Sequence, residues 1–560
     1  MKNENAYDII IKNGNIVDGT GAPSYVADIA VKNGKIAYIG TLTDENASTI
    51  IDAKGKYVTP GFIDSHTHSD GTLWCHPEFQ NAVRQGVTTE IVGNCGNSMK
   101  HSLRTTPFDP ACDGIVSVYD LFGTGKPVPK GAMAAVLDKA EKLKPSVNLA
   151  WLCGHNDIRL VAGATGKEVT EEQFKIMEDL LREALEAGFI GFSTGLEFDP
   201  GVNSEPEEVE RLAKIVAEYD GNYCSHMRDE GTYIIEAVEE FLNVVRKNGI
   251  RGTVSHLNVK YDNGIPNEYL DKCMQMLKDA REKENLNVYA DMLPTCFASG
   301  LAMAILPPWL YADGVEKLKE VLSTHEGRDR VKNDLDRYWR FLGAGQWDRL
   351  INLTAGHLPE YAGLSFKEIV EKIGKEPVEC FLDVIASVDS MEQLRNIGMQ
   401  ANVFHEQIMI DSVVRDPIYM WMTDSSVTGL EHPTRKPSKN VQAYMSMIYF
   451  FTRYVRDLGA ISIEKAVNKV TGMPAEHYRL ANRGVLKEGN YADINVFDIK
   501  NLKINSDFAN PSRYSEGFDW VIVNGEPVVI DSEHTGNRPG MVLRREQRRA
   551  YYATGIITTD

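Results

Sequence analysis

The chain has 560 residues, 43% hydrophobic and 25% charged, which is material for a core larger than that of one ordinary domain. Acidic residues outnumber basic ones, 79 to 60, for a net charge of −19, and no basic block could follow a phosphate backbone, so nucleic acid is excluded as a partner. The opening MKNENAYDII lacks an apolar run of signal-peptide length and no later stretch is long and apolar enough to span a bilayer, so a cytoplasmic protein without membrane contact is expected.

Residues 1–58 alternate short β-type runs (YDIIIKNGNIVDG, DIAVKNGKIAYIG) with Gly and Asn turn signals. The same pattern returns in 484–560, in GVLKEGNYADINVFD and FDWVIVNGEPVVI, which predicts that both chain ends pair into one small β-sandwich domain. Between them, over 59–483, eight apolar strand-like runs alternate with helical patterns: FIDSHTH, TEIVGNCG, NLAWLCGH, FIGFSTG, NYCSHMR, GTVSHL, NVYADMLP and YMWMTDS. That alternation predicts an α/β fold, a (β/α)8 TIM-type barrel. In EEQFKIMEDLLREALEAG, apolar residues three and four apart predict an outer helix closed by Gly188. Residues of about 297–405 separate the seventh and eighth runs and are too long for a simple crossover, so they are read as an insertion covering the barrel mouth. The eight cysteines show no paired spacing, which argues for reduced thiols.

His66 and His68 stand two apart at the end of the first run, so in a strand both point to one face, the barrel interior. An HxH pair alone is a weak signal of metal. Cys95 ends the second run, His226 the fifth, His256 the sixth and Asp424 the eighth, so metal-ligating residue types recur at the end of the barrel where catalysis is located. Each has a bland alternative, a core thiol or a hydrogen-bonded histidine, but five strand ends agreeing by accident is far rarer.

PGFIDSHTHSD, GVTTEIVGNCG, SHMRDEG, the VSH of the sixth run, MTDSS and GVLKEGNYADINVFD resemble the amidohydrolase superfamily, and GNCG with SHMRDEG resembles its N-acyl-D-amino-acid deacylase (D-aminoacylase) branch. The resemblance covers nearly the whole chain. It implies a zinc-type cofactor held tightly by Cys95, His226 and His256, with His66, His68 and Asp424 lining a second, weaker divalent-metal position. Relatives often bridge two metals with a carboxylated lysine, where this branch uses a cysteine that Cys95 matches. The implied chemistry is attack of metal-activated water on an amide carbonyl, with Asp424 as general base and then acid, and with His66 or His68 at the oxyanion.

Arg435, eleven residues after Asp424, falls where similar deacylases bind the substrate carboxylate, a surface salt bridge being the alternative. His155 is a candidate substrate contact or an ordinary loop histidine, and Arg228 is a supporting substrate-site residue or a partner of Asp229 or Glu230. One departure stands out: Leu293 and Thr295 occupy the places of two tyrosines usual after the seventh strand. The segment that follows, with Trp309, is read either as the wall of an acyl pocket or as the face on which the insertion docks. The leading expectation is a zinc-dependent hydrolase releasing a carboxylate and a free D-amino acid. A hydrolase of cyclic amides, imides or ureides using the same site is the alternative, and a non-catalytic scaffold is disfavoured by the retained ligand set. The expected partner is a small-molecule substrate, with homo-oligomerisation left open.

Overall fold

The computed structural model describes residues 7–43, 46–98, 131–259, 268–335, 342, 345–352, 358–361, 363–395, 397–402, 406–431, 437–438, 440–508 and 510–545. Its centre is a parallel eight-stranded barrel. In chain order the strands are Phe62–Asp64, Val87–Val92, Asn148–Gly154, Gly191–Gly195, Asn222–His226, Arg251–Val254, Val288–Met292 and Tyr419–Trp421, each paired in parallel with the one before it. The ring closes at the functional end, where Thr67 bridges Ser425 in parallel. All eight predicted runs are strands. They read as near-continuous apolar runs because a parallel barrel buries both faces of its strands.

The helix Glu171–Ala187 shows how sequence becomes packing. Thr170 caps it with a full capping box to Gln173, and Gly188, at φ 111°, ends it in the left-handed conformation that glycine adopts without strain. Met177, Leu180, Leu181, Ala184 and Leu185 are buried along one face, the four larger side chains each contributing about 1.5–3 kcal/mol on removal from water. Pro206–Glu218, Ile234–Asn248 and Glu268–Glu282 bury apolar stripes in the same way.

The two chain ends do pair. Tyr57–Pro60 runs antiparallel to Ile494–Phe497, joining the N-terminal strands to Phe518–Val523 and Glu526–Ile530 in one continuous nine-stranded sheet. Its own core includes Ile9, Ile29, Val58, Leu486, Ile494 and Ile522. Between the seventh and eighth barrel strands, Phe297–Leu301, Leu350–Asn352 and Gly398–Asn402 form a three-stranded antiparallel sheet. Helices Val315–Leu322, His325–Asp334, Phe366–Ile373 and Pro377–Ala386 accompany it, with Trp347, Phe366 and Phe381 packed ring against ring. Trp309 donates to Asp334 at 2.5 Å and lies under the Arg330 guanidinium, so it belongs to the docking of this insertion.

One expectation is corrected. Cys75 is disulfide-bonded, whereas Cys95, Cys153, Cys224, Cys273, Cys296 and Cys380 form no disulfide. Spacing along the chain says little about which thiols the fold brings within bonding reach. Among the described residues, no helix is long and apolar enough to cross a membrane.

Candidate metal centre and active site

The ends of the barrel strands converge on one small volume. Cys95 Sγ lies 3.3 Å from His66 Nε2 and 3.6 Å from His256 Nε2, and His256 Nε2 lies 2.9 Å from His226 Nδ1. Asp424 Oδ1 lies 3.2 Å from His68 Nε2 and 3.5 Å from His66 Nε2. The structure thus brings together all six residues singled out as ligands or base, with His66 between the cysteine cluster and the Asp424 cluster. His66, Cys95, His226 and His256 are buried, while His68 and Asp424 keep side-chain exposures of 25% and 20% on the open side.

Local backbone geometry aims these groups. Cys95, His256 and Asp424 have φ of 51°, 38° and 47°, left-handed conformations that L residues with side chains rarely hold. Such strain persists where surrounding structure over-determines it, and it clusters at functional sites. At Cys95 the surroundings are glycines: a methyl group added at Gly195 would overlap the Cys95 carbonyl, and one at Gly154 would overlap the Gly96 carbonyl. At Asp424 they are the first barrel strand, since Asp424 N donates to His66 O at 3.1 Å and His68 N to Ser425 O at 2.8 Å.

Each of three histidines turns its other ring nitrogen to a carboxylate, buried in the case of Asp291 and Glu230 and partly buried in the case of Glu197. His66 Nδ1 donates to Asp291 Oδ2 at 3.3 Å and His226 Nε2 to Glu197 Oε2 at 3.2 Å, while His256 Nδ1 lies 2.5 Å from Glu230 Oε1. Sequence reasoning missed Asp291 and Glu197, and it considered Glu230 only as a partner for Arg228. An acid inside the otherwise apolar run NVYADML was the available signal for Asp291.

The site is rich in negative charge. Burial opposes protonation of His66, yet the Asp291, Asp424 and Asp64 carboxylates outweigh it and push the ring up to about 8. Burial likewise opposes charge on His256, which Glu230 and Cys95 lift well above its ordinary value. Desolvation alone would raise Asp424, but His68, His66 and His256 hold its carboxyl well below the usual range. Deeper in the barrel, burial and like charge push Glu90 up to about 8, and burial takes Asp64 to about 7.

A cation of the zinc type fits this donor set. Sulfur and nitrogen ligands about 2.0–2.3 Å from one tetrahedral ion lie roughly 3.3–3.6 Å apart. The Cys95–His66 and Cys95–His256 spacings fall in that range and the His226–His256 spacing is a little shorter; among the described residues the groups close enough to share one ion are His66, Cys95 and His256, then His66, His68 and Asp424, and then His226, Glu230 and His256. The backing carboxylates are the usual partners of metal-binding histidines.

The other candidates sit elsewhere. His155 is fully buried, its Nε2 2.6 Å from Glu208 Oε1, and the same carboxylate takes two hydrogen bonds from Arg159. Arg228 forks onto Glu240 through Nε and Nη2 at 2.9 and 2.8 Å, so its partner is neither Asp229 nor Glu230. Leu293 is buried, and Thr295 donates to Phe297 O while accepting from Gln442 Nε2. Arg435 lies outside the described residues.

Family models described as amidohydrolase family match residues 49–249 and 420–528. The chain is 30% identical over 540 residues to the D-aminoacylase of Alcaligenes xylosoxydans xylosoxydans, spanning 96% of this chain and 98% of that one. It belongs to the amidohydrolase family. This amidohydrolase is also 29% identical over 548 residues to an N-acyl-D-glutamate deacylase of the same organism, covering 96% of this chain and 97% of the relative. Among solved structures, the N-acyl-D-glutamate deacylase of Bordetella bronchiseptica superposes with a TM-score of 0.75 at 28% identity, over 96% of this chain and 100% of the other. That protein was crystallised with zinc and a phosphonate inhibitor mimicking the tetrahedral intermediate. The barrel, the end sheet and the cysteine-histidine cluster described above belong to an amidohydrolase of this kind.

Proposed function

We propose that this amidohydrolase cleaves the amide bond of N-acyl-D-amino acids, releasing a carboxylate and a free D-amino acid. The observation that carries the reading is the meeting of Cys95, His226, His256, His66, His68 and Asp424 at one barrel rim. The likeness of the whole chain to D-aminoacylase supports the substrate class.

Cys95, His226 and His256 hold the tighter cation, and His66, His68 and Asp424 line a weaker second position. The chemistry such a cation supplies is Lewis-acid polarisation of the scissile carbonyl and acidification of water. Asp424 is the general base and acid. Its carboxylate, kept ionised by the histidines around it, takes a proton as the water oxygen bonds to the carbonyl carbon, then delivers it to the amide nitrogen as the C–N bond breaks. His68, partly exposed beside Asp424, faces the place where negative charge develops on the carbonyl oxygen. Arg435 is assigned to the substrate carboxylate on its sequence position, a role for which a guanidinium fork is well shaped. His155 and Arg228, engaged by Glu208 and Glu240, serve the frame of the site.

A panel of N-acetyl-D- and N-acetyl-L-amino acids, hydantoins and dihydropyrimidines tests the reading. Turnover of the D-acyl series is expected. Activity confined to the ring substrates would replace this assignment with the cyclic-amide alternative, for which the loss of phenols at Leu293 and Thr295 leaves room.

A further inference from the structure

Asp291 spends its two oxygens on two different site residues. Oδ2 accepts from the ring of His66, and Oδ1 accepts from the backbone N–H of His256 at 2.6 Å. The first contact puts the His66 proton on Nδ1 and leaves Nε2 free to face Cys95 Sγ and Asp424 Oδ1. The second holds the residue whose left-handed backbone, φ 38°, aims the His256 ring at Cys95 and His226. Asp291 is itself 1% exposed and stands at the end of the seventh strand, which is hydrogen-bonded to both the sixth and the eighth. We propose that Asp291 is a positioning residue shared by the two metal positions, coupling the ring orientation of His66 to the backbone of His256. The inference rests on the metal-site reading above and adds to it a residue that binds no substrate.

Asp291→Asn is the informative change because it keeps the shape of the side chain. The amide oxygen can still accept from His256 N–H, but the amide NH2 donates toward His66 Nδ1 and moves that ring's proton to Nε2, the atom facing the cation position. In the full-length protein stripped of metal, titration with Zn2+ against a chromophoric chelator should show affinity falling about 10- to 100-fold. The visible spectrum of the Co2+-loaded variant should differ from wild type, since it reports ligand number and geometry. Wild-type affinity and an unchanged Co2+ spectrum would overturn the proposal. His66→Ala compared with His66→Ala/Asp291→Ala isolates the second contact, because alanine, unlike asparagine, leaves the His256 N–H without its acceptor: further weakening in the double variant supports the shared role, and equal affinity removes it. Should Asp291→Asn not fold, a crystal structure of the zinc-loaded wild type decides, because a carboxylate turned onto the ion itself would overturn the positioning role. A wild type inactive on every N-acyl-D-amino acid would end the substrate reading and leave these binding measurements intact.

Discussion

Asp424 and His66, 358 positions apart in the chain, are joined by a backbone hydrogen bond of 3.1 Å from Asp424 N to His66 O. Barrel closure makes that bond, and with it the 3.5 Å approach of Asp424 Oδ1 to His66 Nε2. Asp424, the proposed general base, is therefore registered against the first strand by main chain, and its side chain can be changed without moving it.

From this, Asp424→Asn should lower kcat by about 10²–10⁴-fold, the usual contribution of a positioned proton-transfer group. Cys95, His226 and His256 are untouched, so zinc measured by atomic absorption should stay within a small factor of wild type. A variant that turned over at the wild-type rate would remove Asp424 from the chemistry.

Gly195→Ala addresses the cysteine. The added methyl would overlap the Cys95 carbonyl, and main chain cannot swing away as a flexible side chain can. Cys95 is held at φ 51° by this packing, so the loop must shift and carry Sγ with it. Zinc affinity is expected to drop at least about tenfold, the lower end of what loss of a supporting contact costs. A chelator titration of purified Gly195→Ala showing wild-type binding would contradict the close approach.

Thr295→Tyr reinstates a phenol usual in similar deacylases. Here Thr295 is fully buried, donating to Phe297 O and accepting from Gln442, which also donates to Phe297 O. A ring has no space in that network, so the substitution should destabilise the fold by about 1–3 kcal/mol, the cost of overpacking. Urea unfolding should show a lower midpoint, with no gain in turnover of N-acyl-D-amino acids.

His477 predicts part of the acid sensitivity. It is buried between Asn287 Oδ1, which takes its Nδ1–H, and Thr253 Oγ1, which donates to Nε2. Burial, with Arg251 and Arg281 nearby, pulls its pKa from 6.5 down to about 3. Between those values the unfolded chain binds a proton that the folded chain refuses, so stability falls as pH drops through that window, by roughly 1.4 kcal/mol per pH unit for one such group. His477→Gln should flatten the stability profile between pH 6.5 and 5 relative to wild type. Parallel profiles for the two proteins would show that His477 does not bind its proton differently on folding.

Much of this molecule is set by local pattern. Eight apolar runs with helical stretches between them can bury their surface in few ways, and a closed parallel barrel is one that also places His66, Cys95, His226, His256 and Asp424 at the same end. The run FIDSHTH placed His66 and His68 at the first strand's end, although the strand itself stops at Asp64 and both histidines stand just beyond it, and Gly188 closed its helix where it stands in the chain. Tertiary structure alone decided what lies behind those ligands. Asp291, Glu197 and Glu230 approach the histidines across strands and loops, at sequence separations from 26 to 225, and an acid's neighbours at such range leave no periodic trace. The same holds for Arg228, which found Glu240 instead of the acids beside it, and for Cys75, whose pairing no spacing announced. Secondary structure follows from interactions a few residues long, whereas hydrogen-bond partners across a barrel are chosen only when the ring closes and each buried polar group must be satisfied.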